Sequence, residues 1–333
     1  MKEKIGITTT VPVEAIIAAG FAPVDLNNIF VTSNDCQGYI DVAERDGFPK
    51  SMCAWIKGLY GACMINGIRK IVGVVQGDCS NTASLTEVLR LRGIDVIPFS
   101  YPHARSVENI KAEIESFMKL LGVDAADTEK VRERLQGLRN KAARLDELTW
   151  KTSKASGFEN HLYQVGMSDF NSDLEGFEAE LDSKLCEIEA REIDEPRLRL
   201  GYIGVPPMMA DLYEFTEQQG ARIVYNEVQR EFAFPRSGAA RSIYEQYADY
   251  TYPYDIDFRL QEIKKQIEER RLDGLIHYTQ AFCHRALDDI IIKSRIDIPI
   301  INIEGDKSDR LDARTRLRLE AFLDMLCDRK EAL

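Results

Sequence analysis

No two cysteines in this chain stand close enough in sequence to form a metal-binding hook. The seven (Cys36, Cys53, Cys63, Cys79, Cys186, Cys283 and Cys327) are scattered over 333 residues, with no CxxC or CxxxC spacing. Zinc-ribbon and ferredoxin signatures are therefore absent. An odd, dispersed set in so long a chain is no disulfide framework either. There is no GxGxxG and no P-loop, so nucleotide fingerprints are missing. No GxSxG marks a serine elbow, and the four histidines (His103, His161, His277 and His284) form no HExxH pair. No apolar run is long enough to span a bilayer. The opening MKEKIGITTT lacks the apolar segment of a signal peptide, so the expected location is the cytoplasm. Positive charge is also short: 43 Lys and Arg against 55 Asp and Glu leave a net charge of −12, which argues against nucleic acid as the main partner.

What is present is a chain of ordinary globular composition, 44% hydrophobic and 29% charged, long enough for two domains with real cores. The stretch from Lys70 to Arg90, KIVGVVQGDCSNTASLTEVLR, organises the rest. Ile71 to Val75 reads as a buried parallel strand. Gln76-Gly77-Asp78 breaks it, and Ser80, Asn81 and Thr82 offer N-cap oxygens for a helix with Leu85, Val88 and Leu89 on its apolar side. Cys79 falls between strand and helix. Ligands of open α/β sheets gather beyond the carboxyl ends of the strands, and a helix N-terminus favours a thiolate.

One such cysteine is more often an inert, half-buried residue. Here the pattern recurs. GLIHYTQAFCHR (274–285) is again strand, polar break and cysteine, Cys283, followed by a helical stretch from Ala286 to Lys293 and a strand from Ile300 to Ile303. A third cysteine, Cys53 in PKSMCAWIKGLYG, sits at the start of a helix leading into the Ile71 strand. Three thiolates drawn from two lobes suit zinc or an iron–sulfur cluster.

In order, the chain begins with a strand from Ile5 to Thr8, a helix entered at Pro12 and closed at Gly20, and a strand from Ala22 to Leu26. With the Cys53 helix, the Ile71 strand, the Thr82 helix and the strand from Asp95 to Phe99, this is a βα alternation. It predicts a parallel sheet with helices on its faces over 1–102. Residues 103–195 change to helical spacing, through Val131, Leu135, Leu138, Ala142 and Leu145, then Phe170, Leu174, Phe177, Leu181 and Ile188. Cys186 is expected to be a buried small apolar residue there, and Cys327 a structural one near the end of the terminal helix. Residues 196–333 form the second α/β unit, with strands from Arg197 to Ile203 and from Ala221 to Tyr225. Residues 226–254 show no clear period and read as a long functional loop, and a helix from Phe258 to Arg271 follows.

Single polar residues carry two readings each. Glu14 lies near the carboxyl edge of the first sheet, where a carboxylate can move protons or bind a hydroxyl group. It equally fits an exposed first-turn glutamate facing the helix dipole. His284 beside Cys283 can donate to a cluster sulfur or shuttle a proton, or be a plain surface histidine. Asn226, Glu227, Gln229 and Arg230 line the ligand crevice or make buried structural contacts.

Four groups of segments resemble the 2-hydroxyacyl-CoA dehydratase subunits and the related benzoyl-CoA reductase and double-cubane cluster proteins. They are VPVEAIIAAGFAPVDL (11–26), MCAWIKGLYG with GDCSNTASLTEVLR (52–61, 77–90), RLGYIGVPP with IVYNEVQREFAFP (199–207, 223–235), and FCHRALDD with IPIINIEGDKSDRLDARTRLRLEAFLDML (282–289, 298–326). Their order matches from end to end. The resemblance implies two flavodoxin-like α/β lobes with a helical part. It implies a [4Fe–4S] cluster on Cys53, Cys79 and Cys283, with one iron left without a cysteine and open to a substrate oxygen or water. Cys36 is the candidate for a fourth ligand, or for help in holding an [8Fe–9S] double-cubane cluster instead. The resemblance further implies an acyl-CoA thioester substrate and an ATP-hydrolysing iron–sulfur activator that delivers a low-potential electron, so that a ketyl radical of the thioester expels its hydroxyl group. Family subunits work as homodimers or as heterodimers with a related chain. The alternatives are a double-cubane reductase of small molecules and a non-catalytic electron-transfer or scaffold subunit.

Overall fold

The computed structural model describes residues 2–332. The chain begins β1 (Lys4–Ile7), α1 (Val13–Ala18), β2 (Ala22–Asp25), α2 (Leu26–Val31), α3 (Cys36–Arg45), α4 (Ala54–Ile65), β3 (Lys70–Gln76), α5 (Ser80–Leu91) and β4 (Asp95–Ser100). A helical stretch follows: α6 (Val107–Leu121), α7 (Ala125–Trp150), α8 (Gly157–Gly166) and α9 (Leu174–Glu189). The last part is β5 (Leu198–Gly204), α10 (Leu212–Gln218), β6 (Ala221–Asn226), α11 (Glu227–Phe232), α12 (Ile243–Ala248), α13 (Ile256–Arg270), β7 (Gly274–Gln280), α14 (Asp288–Arg295), β8 (Ile300–Gly305) and α15 (Ala313–Glu331).

The packing divides the chain into two units. Unit 1 is Met1–Asn140, Gly166–Glu180 and Phe234–Asp255; unit 2 is Lys141–Val165, Leu181–Ala233 and Ile256–Leu333. The helical stretch is thus shared between the units.

Each unit is built on a four-stranded parallel sheet, in the orders β2-β1-β3-β4 and β6-β5-β7-β8. The second repeats the connectivity of the first, and both are the flavodoxin-like order. Parallel strands need helical crossovers, which cover both faces of the sheet. Unit 2 shows the consequence. Leu198, Leu200, Tyr202, Ile276 and Tyr278 pack on one face with Leu319, Phe322 and Leu326 of α15. Ile203, Tyr225 and Leu275 point to the other face, against Leu260 and Ile263 of α13 and Ile292 of α14. In unit 1, Ile71 of β3 packs with Ile56, Leu59, Tyr60 and Cys63 of α4 and Leu85 and Leu89 of α5.

Two expectations are corrected here. Residues 226–254 are not one loop: they hold α11 and α12, and Phe234–Asp255 packs within unit 1. Helices of six residues are too short to display a period. Their anchors are local, such as the Ser242 hydroxyl, which accepts from the Glu245 amide at 3.3 Å at the start of α12. Cys186 is exposed, not buried. The buried face of α9 runs through Phe177, Leu181 and Ile188, and Cys186, five residues past Leu181, turns well away from that stripe.

Candidate metal centre

In both sheets the chain leaves the first central strand toward one side and returns on the other, so β1/β3 and β5/β7 are the switch points where ligand crevices form. The cysteines stand at these edges. Cys79 is the third residue past Gln76, the end of β3, and Cys283 is the third past Gln280, the end of β7. Both amino-cap the helical segment that follows, with nearly the same backbone: φ −68°, ψ 134° at Cys79 and φ −81°, ψ 130° at Cys283. The residue three further on donates to each cap carbonyl, Thr82 to Cys79 at 2.9 Å and Ala286 to Cys283 at 3.1 Å. The cap expected from Ser80, Asn81 or Thr82 is therefore Cys79 itself. Cys53 is the amino-cap of α4, at φ −47°, ψ 121°.

Cys53 is buried, whereas Cys79 and Cys283 are half-buried. The helices after Cys53 and Cys79 each run 12 residues, so a full macrodipole presents its positive end to the cap and favours negative charge there. Cys53 and Cys79 belong to unit 1 and Cys283 to unit 2, so these three are not all contained in either unit alone. In neither unit, among the described residues, do three or more His, Cys, Asp or Glu side chains form a group able to hold a metal ion.

The remaining cysteines differ in setting. Cys36 opens α3, and its Sγ donates to the carbonyls of Phe30 at 3.1 Å and Ser33 at 3.3 Å. Cys63 is buried in α4, and desolvation pushes its thiol pKa up to about 11. Cys327 packs at the margin of the unit 2 core.

Glu14 is fully buried rather than exposed in the first turn of α1. Its Oε1 accepts from Arg139 Nη2 at 2.5 Å and Gln246 Nε2 at 2.7 Å, and its Oε2 from the Tyr247 hydroxyl at 2.9 Å. It ties α1 to α7 and α12 within unit 1. His284 is exposed on the one-turn 3-10 helix His284–Leu287. Partial desolvation and the neighbouring Arg285 lower its pKa, which keeps the imidazole neutral near pH 7.

Asn226, which ends β6, and Glu227 are buried and Arg230 is half-buried, and all three make contacts within unit 2. Asn226 Oδ1 accepts from the Tyr213 hydroxyl at 2.7 Å, and Arg230 pairs with Glu262 at 2.8 Å. Glu227 pairs with Arg259. Sequence reasoning missed Arg259; the signal for it was a charge adjoining Leu260 and Ile263 on the buried side of α13.

A second buried group sits at the end of β2. The Asp25 amide donates to Asp169 Oδ2 at 2.7 Å, while Asp25 Oδ1 accepts from the Asn27 amide at 2.9 Å. Asn27 in turn donates to the Thr8 carbonyl at 3.0 Å and accepts from Trp55 Nε1 at 2.6 Å. Burial raises both carboxyl pKa values, Asp169 up to about 7, where repulsion from Asp25 adds to desolvation.

Fold and edges together define a two-unit flavodoxin-like α/β protein with a cysteine at the same switch-point position in each unit. The chain belongs to the 2-hydroxyglutaryl-CoA dehydratase D-component family, whose model matches residues 8–326. It is thus a component of the 2-hydroxyacyl-CoA dehydratase type. No curated protein matches the chain. Among the described residues, no helix is long and apolar enough to cross a membrane.

Proposed function

We propose that this chain is an iron–sulfur component of a cytoplasmic 2-hydroxyacyl-CoA dehydratase, with Cys53, Cys79 and Cys283 as ligands of a [4Fe–4S] cluster. The supporting observation is the equivalence of Cys79 and Cys283, two cysteines at one switch-point position in repeated units. Three sulfurs are the right donor chemistry for such a group. When bound, the cluster supplies one-electron chemistry and a Lewis-acidic iron free of protein sulfur.

The chain's own residues do the rest. The first turns of α4 and α5 favour thiolate over thiol at Cys53 and Cys79. His284, neutral near pH 7, accepts a proton at a ring nitrogen or donates its N–H beside Cys283. Glu14 has both carboxylate oxygens engaged, so our reading gives it the task of holding α1 in place rather than moving protons. Cys36, with its S–H directed at two carbonyls, is left outside the ligand set. The partners are an ATP-hydrolysing activator that delivers the low-potential electron, a second related subunit, and an acyl-CoA thioester as substrate.

Anaerobic purification should yield a brown protein with about four iron and four sulfide per chain. About eight iron and nine sulfide would instead indicate the double-cubane alternative. Cys53→Ala, Cys79→Ala and Cys283→Ala should each abolish the visible absorbance, and Cys186→Ala should not. A colourless anaerobic preparation that resists reconstitution ends this reading. Turnover of a 2-hydroxyacyl-CoA with activator, ATP and reductant separates a catalytic component from an electron-transfer or scaffold subunit.

A further inference from the structure

The turn that carries Cys283 is gripped by buried charges. Arg259 of α13 is 1% exposed. Its Nε and Nη2 reach Glu227 Oε1 and Oε2 at 2.7 and 3.0 Å, a two-pronged pair. Its Nη1 reaches Asp288 Oδ2 at 2.6 Å, and Arg285 Nη1 approaches the same oxygen at 3.4 Å. Glu227 Oε2 also accepts from the Gly204 amide at 2.9 Å. One guanidinium therefore links the end of β5 to Asp288, the first residue of α14 and the fifth past Cys283. Beside it, His277 Nδ1 on β7 meets Asp289 at 2.8 Å, and Asp289 meets Lys293 at 2.7 Å.

The backbone spanned by this linkage is strained. Phe282, next to Cys283, lies at φ +65°, a left-handed conformation that bulky residues rarely adopt unless the surroundings impose it. Its own ring does not impose it, being 61% exposed. Unit 1 reaches the same cysteine position at lower strain, with Gly77 supplying the positive φ of +86° ahead of Cys79. The Cys283 turn is the one that needs an outside grip.

We infer that Arg259 is a positioning residue for Cys283: by bridging Glu227 to Asp288 it sets where that sulfur stands. Its consequence for a cluster rests on the reading of Cys283 as a ligand. Arg259→Lys keeps the charge, but a lysine cannot make the two-pronged pair and the third bond together.

The test uses the full-length chain. In protein stripped of iron, iodoacetamide labelling is followed cysteine by cysteine by mass spectrometry over a pH series within the range where the chain stays folded, and the limiting Cys283 rate is compared, so that a charge effect on its thiol pKa drops out. Cys283 in Arg259→Lys should react roughly tenfold faster than in the wild type, the scale of a lost charge-assisted bond, with Cys79 unchanged. In anaerobic protein, the variant should lose iron to a chelator faster and show an altered electron paramagnetic resonance spectrum. Wild-type values for both Cys283 labelling and iron loss in a folded variant overturn the inference. If Arg259→Lys does not fold, Asp288→Asn removes only the α14 arm and carries the same expectations, and an unchanged Cys283 rate overturns it equally. If Cys283 responds in protein that never binds iron, the positioning role stands and the cluster reading falls. If the wild type binds iron and Cys283 is indifferent in both variants, the positioning role falls alone.

Discussion

Replacing Asp169 by asparagine should remove a pH dependence of stability that the fold builds into unit 1. The carboxyl is 4% exposed, bonded to the Asp25 amide and repelled by the buried Asp25 carboxyl. Its pKa rises from 3.8 to about 7 on folding. Between those values the unfolded chain has lost the proton and the folded chain keeps it. The folded state then binds more protons, so stability falls as pH rises through this window. Below about pH 4 the penalty is absent, and above about pH 7 it is present in full. At about 1.4 kcal/mol for each pH unit separating the unfolded and folded values, it amounts to something on the order of 4 kcal/mol. Asparagine keeps an acceptor oxygen for the Asp25 amide and never ionises.

Unit 1 can be followed by itself through Trp55, whose indole donates to Asn27 in this cluster. A Trp150→Phe background leaves Trp55 as the only indole. Urea titrations at pH 5 and pH 8 give the stability of the parent and of Asp169→Asn at each pH; pH effects of distant groups cancel in the difference, which reports the Asp169 and Asp25 pair. The variant should exceed the parent by only about 2 kcal/mol at pH 5, a little over one pH unit above the unfolded value, and by about 4 kcal/mol at pH 8. An equal difference at the two pH values refutes a raised carboxyl pKa at this position.

Other perturbations follow from the same structure. Glu14→Gln leaves Arg139 as a buried, unpaired charge and should destabilise unit 1 by roughly 3–5 kcal/mol, read as a fall in melting temperature; the double variant with Arg139→Met should recover much of it. At Gly204, φ is +99° and an added Cβ would stand 2.1 Å from the Tyr278 carbonyl oxygen. Gly204→Ala should therefore disrupt the β5/β7 edge and cost more than about 3 kcal/mol, measured by urea unfolding; a near-neutral result would mean that the strand ends are not locked. Exposed Cys186 should react promptly with a thiol reagent at pH 8, while Cys63, with its pKa pushed up to about 11, should stay unreactive until the chain unfolds.

The repeated motif was legible without coordinates because its parts are local. Runs such as Ile71 to Val75, broken by Gln76-Gly77-Asp78 and followed by a helix, announce a βα unit, and a second copy ahead of Cys283 announces its twin. From these runs alone came a parallel α/β fold with two cysteines at equivalent strand ends. The partners of buried charges lay beyond reach, because Glu14 meets Arg139 and Tyr247, and Asp25 meets Asp169, across more than a hundred residues. Local pattern fixes which face of a helix is apolar, but not which distant group satisfies a charge on it. The same limit explains the return of Phe234–Asp255 to unit 1, where the Tyr247 hydroxyl donates to the Val11 carbonyl and the Tyr250 hydroxyl to the Thr10 hydroxyl. It also explains the dependence of the Cys283 turn on Arg259. Backbone periodicity is written residue by residue; the pairing of buried polar groups is a property of the folded chain.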